Sequence, residues 1–202
     1  MKEPRRPRDE ADERLLDACR RGDRAALERV FRQHAAMLHR LLVRLLGNAA
    51  DADDVLQTTL VQASRAFTKF RGEAAVDTWL SRIAINAARS HMRSAQAPVR
   101  ATLELVGDDT PSPEQSPEDI IHDRQRVARL HHHLAALSPV KRIAFVLSVV
   151  EGMPVEEIAA LTGSSVFATK SRIYWAGRAL RARARKDALL RDLLVDEPEG
   201  DE

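Results

Sequence analysis

Apolar residues in this chain return every third or fourth position, and no apolar–polar alternation runs long enough for a useful strand. Apolar surface arranged in this way can be buried only by packing helices. Composition agrees: Ala, Leu and Arg are abundant while aromatics are only 4%, which favours helix over sheet. The spacing predicts helices over 12–20, 23–46, 51–67 and 76–94, with Gly22, Gly47-Asn48 and Gly72 at their stops and Asp23 and Asp51 as N-caps. Residues 95–118 then carry Pro98, Gly107, Pro111, Pro113 and Pro117 among acids and small polar residues, a composition that buries little surface. Beyond them helices are expected over 119–136, 138–150, 155–162 and 165–190, with Ser138-Pro139 as N-cap and first-turn proline. The expected fold class is all-α, with two small helical domains at 12–94 and 119–191. An acidic, Pro-rich linker at 95–118 joins them, flanked by a disordered extension at 1–11 and an acidic tail at 192–202.

Net charge is only +2, but its distribution is informative. Residues 71–100 hold five arginines against Glu73 and Asp77, residues 101–123 hold seven acids and no Lys or Arg, and residues 165–191 hold eight cations against Asp187 alone. Two basic blocks around an acidic one suit two nucleic-acid contacts joined by a spacer that avoids DNA. The one cysteine, Cys19, sits in a helical apolar pattern with Leu15 and Leu16 and is expected to be a buried, inert thiol. The Arg- and Pro-rich start is followed by no apolar run suited to a signal or membrane span, so no membrane insertion and a cytoplasmic location are expected.

The stretch from Val155 to Ser165 opens a helix-turn-helix: a short helix, small Ala159 where the next helix passes close, and Gly163 for the turn. After it, Val166, Thr169, Ile173, Ala176 and Leu180 form one apolar face. The opposite face carries Phe167, Ser171, Tyr174, Trp175 and Arg178, with Lys170 and Arg172 on the flanks. Large aromatics interleaved with cations suit a helix that enters the major groove and grips phosphates. Packing of Phe167 and Trp175 on a neighbouring helix is the plainer alternative.

In the fourth helix Trp79, Arg82, Asn86, Arg89 and Arg93 share a stripe, while Leu80, Ile83, Ala84 and Ala87 fill another face. An aromatic heading an Arg/Asn stripe can stack on an unpaired base while the cations hold the backbone, and partial burial of Trp79 is compatible with that role. The third helix begins with Asp51, Asp53, Asp54 and Gln57, with Leu56, Leu60, Ala63 and Phe67 as its apolar side. Capping and the helix dipole explain acids there, and Asp54 with Gln57 suits a protein-docking patch equally well.

The ordered set Arg21-Gly22-Asp23, Asp51-Ala52-Asp53-Asp54-Val55-Leu56-Gln57, Trp79-Leu80-Ser81-Arg82-Ile83-Ala84-Ile85-Asn86, Glu157-Ile158-Ala159 and Lys170-Ser171-Arg172 resembles bacterial RNA polymerase sigma factors of the extracytoplasmic-function (ECF) group in the sigma-70 family. The resemblance covers residues 12–94 and 124–185. It implies a sigma factor that binds core RNA polymerase and promoter DNA and directs promoter-specific initiation, with no catalytic residue, cofactor or metal of its own. The first lobe would be sigma region 2, with Asp53, Asp54 and Gln57 docking on the polymerase clamp and Trp79, Arg82, Asn86, Arg89 and Arg93 recognising and helping to melt the minus-10 element. The second would be sigma region 4, with Ser165, Phe167, Ala168, Lys170, Ser171, Arg172, Tyr174 and Arg178 at the minus-35 element. An anti-sigma factor is the regulator such a chain is expected to have. Thr162, Ser164 and Phe167-Ala168-Thr169 depart from the family pattern at the turn, Pro154 replaces a common capping serine, and the Thr169 hydroxyl requires a partner.

A conventional helix-turn-helix repressor would account for residues 155–185 but not for the Trp79–Arg93 stripe or the Asp54/Gln57 patch. A metalloenzyme built on His131, His132, His133 and His122 is disfavoured, because adjacent helical positions diverge by about 100° and three successive ligands cannot converge on one ion.

Overall fold

The computed structural model describes residues 10–94 and 117–191, which form eight α-helices and no strand. The expected extension at 1–11, the linker and the acidic tail lie almost wholly outside the described residues. Helix α1 is Glu10–Arg20, α2 Arg24–Leu46, α3 Ala49–Ala66 and α4 Val76–Ser94; a 3₁₀ turn, Phe67–Lys69, follows α3. The second lobe comprises α5 Pro117–Ala135, α6 Pro139–Phe145, α7 Val155–Thr162 and α8 Val166–Ala184, with a π-helical turn, Val146–Val150, extending α6.

Local chemistry sets these boundaries. The Asp23 carboxylate accepts from the Ala25 and Ala26 N–H groups at 2.9 and 3.1 Å and so starts α2. Gly47, at φ 82°, ends α2 by donating its N–H to the Val43 carbonyl. The cap of α3 is Asn48 rather than the expected Asp51: Gly47 turns the chain so tightly that Asn48, already extended, receives the Asp51 N–H at 2.7 Å. Pro139 does open α6, but Ser138 makes no side-chain cap bond. The last helix stops at Ala184, short of the expected 190, because Asp187 turns back to α5. There it accepts from Arg129 Nε and His133 Nε2, each at 2.9 Å, while Leu190 is buried. His133, followed by the Leu189 N–H and Arg129, holds the Asp187 carboxyl below its ordinary range.

Leu38, Leu42 and Leu45 of α2, Ala52 and Val55 of α3, and Leu80 and Ala84 of α4 fill the first lobe. Phe67 and Phe70 close a smaller core on Leu16, Cys19, Leu27 and Val30. Cys19 is fully buried, and burial pushes its thiol up. On α3, Thr59 takes an inward place between Val55 and Ala63, donating to the Val55 carbonyl at 2.7 Å, while the expected Leu56 and Leu60 are only half-buried. Ile143, Val146, Leu147, Ile158, Ala176 and Leu180 fill the second lobe, and α6 and α7 pack on α4 so that the two cores merge.

Polar groups are trapped where the lobes meet. Arg44 at the end of α2 pairs with Glu151 at 2.9 Å. The His131 ring lies on Gly47 so closely that a Cβ there would be 3.0 Å from Nδ1, so this glycine is required by contact as well as by its φ. Arg142 is buried, and desolvation pushes its guanidinium down to about 10 against the opposing pull of Asp51. The three histidines diverge: His131 faces this junction, His132 faces solvent and His133 faces Asp187. No described helix is long and apolar enough to cross a membrane.

Candidate nucleic-acid interface

Helices α7 and α8 form the expected helix-turn-helix. Gly163 makes the turn at φ 64°, where its missing side chain would meet open space, so the backbone conformation alone selects glycine. Ser165 caps α8 by accepting the Ala168 N–H at 3.1 Å. The atypical residues of the turn compensate one another through a hydroxyl chain. Thr162 donates to the Ile158 carbonyl at 2.7 Å and Thr169 to the Ser165 carbonyl at 3.0 Å. Ser164 lies between them, 2.8 Å from the Thr162 hydroxyl and 2.9 Å from that of Thr169. Thr169 is thereby buried with its hydroxyl satisfied, as its place on the inner face requires.

The outer face of α8 is strongly exposed. Phe167 is 83% exposed, Tyr174 57% and Trp175 46%, so these aromatics do not serve the core. Tyr174 and Trp175 meet edge to face at 5.3 Å, and the Arg178 guanidinium lies 5.3 Å from the Trp175 ring centre, which stiffens the trio. Lys170 is exposed beside them, whereas Ser171 and Arg172 are half-buried. Val166, expected on the inner face, is exposed as the first residue of α8.

Helix α4 presents its stripe differently. Trp79 is half-buried against Phe67 and Phe70, at 5.2 and 5.0 Å between ring centres, and belongs to a three-ring cluster. Arg82 donates to the Ala160 carbonyl of α7 at 3.3 Å, and Arg89 donates to the side-chain Oδ1 of Asn86 at 3.1 Å. Asn86, Arg89 and Arg172 line one small cavity with Val140, Ile143 and Thr162. Arg93 is exposed, its Nη2 3.4 Å from Ser90 Oγ. Arg172, at the edge of the α8 face, thus meets Asn86 and Arg89 of α4 at the junction, a placement that periodicity within single helices cannot signal, while Arg82 and Asn86 remain exposed.

Asp53, Asp54 and Gln57 share the exposed side of α3, and His39 lies 3.2 Å from Asp53. With Asn48 as the cap, neither Asp53 nor Asp54 is needed to start the helix, and a solvent-facing acidic patch remains. The junction roles of Arg44, His131, Arg142 and Glu151 are not readable from the sequence, where His131 stands only as one of three successive histidines: their partners lie in the other lobe, and only the buried Arg142 and the αL glycine opposite His131 mark them.

Comparison with known proteins agrees with this architecture. Residues 30–97 match the model of Sigma-70 region 2 and residues 128–186 that of Sigma-70, region 4. The chain is 33% identical to the RNA polymerase sigma-H factor of Pseudomonas aeruginosa over 92% of this chain and 96% of that protein. It is 35% identical to the ECF RNA polymerase sigma factor SigM of Mycobacterium tuberculosis (strain H37Rv), over 89% and 85% of the two chains. Among solved structures, CnrH in complex with the cytosolic domain of CnrY aligns with a TM-score of 0.58 at 26% identity, covering 88% of this chain and 99% of that one. The chain belongs to the ECF group of the sigma-70 family: it is a non-enzymatic sigma factor that binds core RNA polymerase and directs promoter-specific initiation of transcription.

Proposed function

We propose that this sigma factor grips its promoter at two points with the residues described above. Residues 12–94 form the unit that docks on polymerase through Asp53, Asp54 and Gln57 and engages the minus-10 element through Arg82, Asn86, Arg89 and Arg93. Trp79 contributes chiefly by holding the head of α4 on Phe67 and Phe70. Residues 119–191 engage the minus-35 element through the exposed face of α8, with Ser165 and Ala168 at its first turn, Phe167, Lys170, Tyr174 and Arg178 on its face, and Ser171 and Arg172 at its edge. Residues 95–118 connect the two units, and the flanks at 1–11 and 192–202 lie outside both.

The observation that carries this reading is the exposure of Phe167 and Tyr174 beside Lys170 on the second helix of the helix-turn-helix. Apolar groups there suit thymine methyls, and the cation suits phosphate. Reconstituted transcription tests it: Lys170→Ala and Arg172→Ala should weaken upstream-element binding, and Arg89→Ala should impair promoter opening. Full transcription by all three variants would refute the assignment. The setting is the cytoplasm, where polymerase works, and a protein partner of the kind CnrH holds in its complex is the proposed regulator.

A further inference from the structure

We infer that the apolar groove of the second lobe receives the chain's own tail: Leu193, Leu194 and Val195 seat in it, and the acids that follow lie along the outer face of α8 and screen it from DNA. The screening half of the inference rests on the assignment of that face to duplex DNA. The groove is lined by Leu130 of α5, Phe145 of α6, and Gly177, Leu180 and Ala184 of α8, together with Leu190. Its volume is about 160 Å³. Pockets for small molecules run to roughly 300–1,000 Å³, so this one suits aliphatic side chains rather than a cofactor. Gly177 stands inside a helix, where glycine costs about 1 kcal/mol against alanine. Yet a Cβ there would make only ordinary contacts, 3.7 Å from Phe145 and 3.8 Å from Arg181, and its φ is not positive. Neither close packing nor backbone conformation requires this glycine, and its missing side chain keeps the groove open. Leu130, on the rim, is 40% exposed, an apolar wall without full cover among the described residues.

The occupant follows from where α8 delivers the chain. Asp187, bonded to Arg129 and His133 of α5, folds residues 185–191 back so that Leu190 lines the groove. Leu193 is three positions further on, within ~10 Å of extended chain. Residues 192–202, outside the described residues, hold one apolar run, Leu193-Leu194-Val195, and after it Asp196, Glu197, Glu199, Asp201 and Glu202 with no cation. The complementary charge is on α8. Lys170, Tyr174, Gly177 and Arg181 succeed one another at spacings of four, three and four, so they stack along one side of the helix. The groove therefore lies in line with the face that carries Tyr174 and Lys170, and Arg178 flanks that line. From Arg181 to Lys170 is ~17 Å of helix, and the chain from Asp196 to Glu202 reaches ~23–25 Å when extended. A tail anchored by its apolar run can thus bring carboxylates to the cations that the assignment gives to phosphate.

Full-length chains supply the test. A nitroxide on Gly200→Cys in a Cys19→Ala background leaves every tail acid in place, and it should broaden the amide signals of Tyr174 and Arg181. Leu193→Ser/Leu194→Ser, which removes the anchor without changing charge, should restore those signals. Gly177→Leu, which fills the groove from α8, should release the tail as well. Anisotropy of a labelled mixed-sequence duplex of about 20 base pairs at low salt should show both variants binding about three- to tenfold more tightly than the parent. That gain is expected when the tail is released in only about 10–30% of parent chains. No broadening in the parent, or broadening that persists in Leu193→Ser/Leu194→Ser, would overturn docking. Broadening seen only between spin-labelled chains and separate isotope-labelled ones would give the groove to a second copy's tail and overturn the intramolecular seat. Docking without tighter duplex binding by the released variants would overturn screening. Adding Lys170→Ala and Arg178→Ala to Leu193→Ser/Leu194→Ser separates the underlying assignment: loss of the gained affinity supports α8 as the DNA face. Retained affinity with the tail released refutes that face, and with it screening, while leaving the docked tail standing.

Discussion

Acid should open the lobe junction through His131. Burial first, and the neighbouring Arg142 of α6 second, push this imidazole from 6.5 to about 4. On the other side it meets Gly47, and Asp51 of α3 acts on Arg142 and lies 3.5 Å from His91. In the open form the ring regains water and its ordinary value. Above pH 6.5 both forms carry a neutral ring and closure bears no penalty; the penalty begins as pH falls through 6.5 and is complete near 4. Between pH 7.5 and 5.5 the closed-to-open ratio should therefore fall about tenfold. His34, in the cleft, is also pushed down by burial while Asp77 opposes, so it adds in the same direction. Single-molecule energy transfer reads the ratio directly, with dyes on cysteines at the exposed positions Gln33 and Ala182 in a Cys19→Ala background. His131→Gln, which cannot charge, should abolish most of the response. An unchanged pH response in that variant, or none in the parent, would refute the reasoning.

Leu42→Ala, at a fully buried site in the first core, should cost about 2–5 kcal/mol in chemical denaturation. Gly163→Ala meets no neighbour and should cost only the strain of a positive φ, about 1–2 kcal/mol; a much larger loss would reveal a packing role. Ser164→Ala should cost less than about 1 kcal/mol, because Thr162 and Thr169 keep their carbonyl acceptors. Lys170→Ala and Arg178→Ala should each lower the salt dependence of minus-35 duplex binding by about one ion, measured by titration from low to moderate salt.

The helices were legible because their signals are local: Asp23, Gly47, Pro139, Gly163 and Ser165 all stand where the chain turns or restarts. The departures arise where side-chain hydrogen bonds decide, some of them to partners distant in sequence. Helix α8 ends early because Asp187 answers to His133 and Arg129, more than fifty positions away. Thr59 displaces a leucine from the core side of α3 because its hydroxyl can bond its own helix and leave a methyl to pack. Thr162, Ser164 and Thr169 looked like three unrelated departures from a family pattern, yet in space they form one hydroxyl chain. The Trp79–Arg93 stripe is legible as a stripe, but the bond from Arg82 to α7 and the place of Arg89 beside α6 are not, since those partners lie beyond the linker; Arg82, Asn86 and Arg93 stay exposed.

The partners α4 has where the lobes meet leave its arginines able to turn to phosphate. Arg82 faces a neutral carbonyl at 3.3 Å and Arg89 a neutral amide oxygen at 3.1 Å, with its Nε left unpaired. Both bonds are already charge-assisted from the donor side; phosphate adds an ionised acceptor, which a guanidinium can engage with two parallel bonds at once. Each orphaned atom at the junction costs about 1–3 kcal/mol while it stays buried. Exchange of these partners for phosphate therefore improves every arginine involved, and release of Arg142 and His131 to water adds to the gain. An acidic protein partner would compete with the promoter by offering carboxylates to the same arginines, to which the chain itself offers only neutral oxygens.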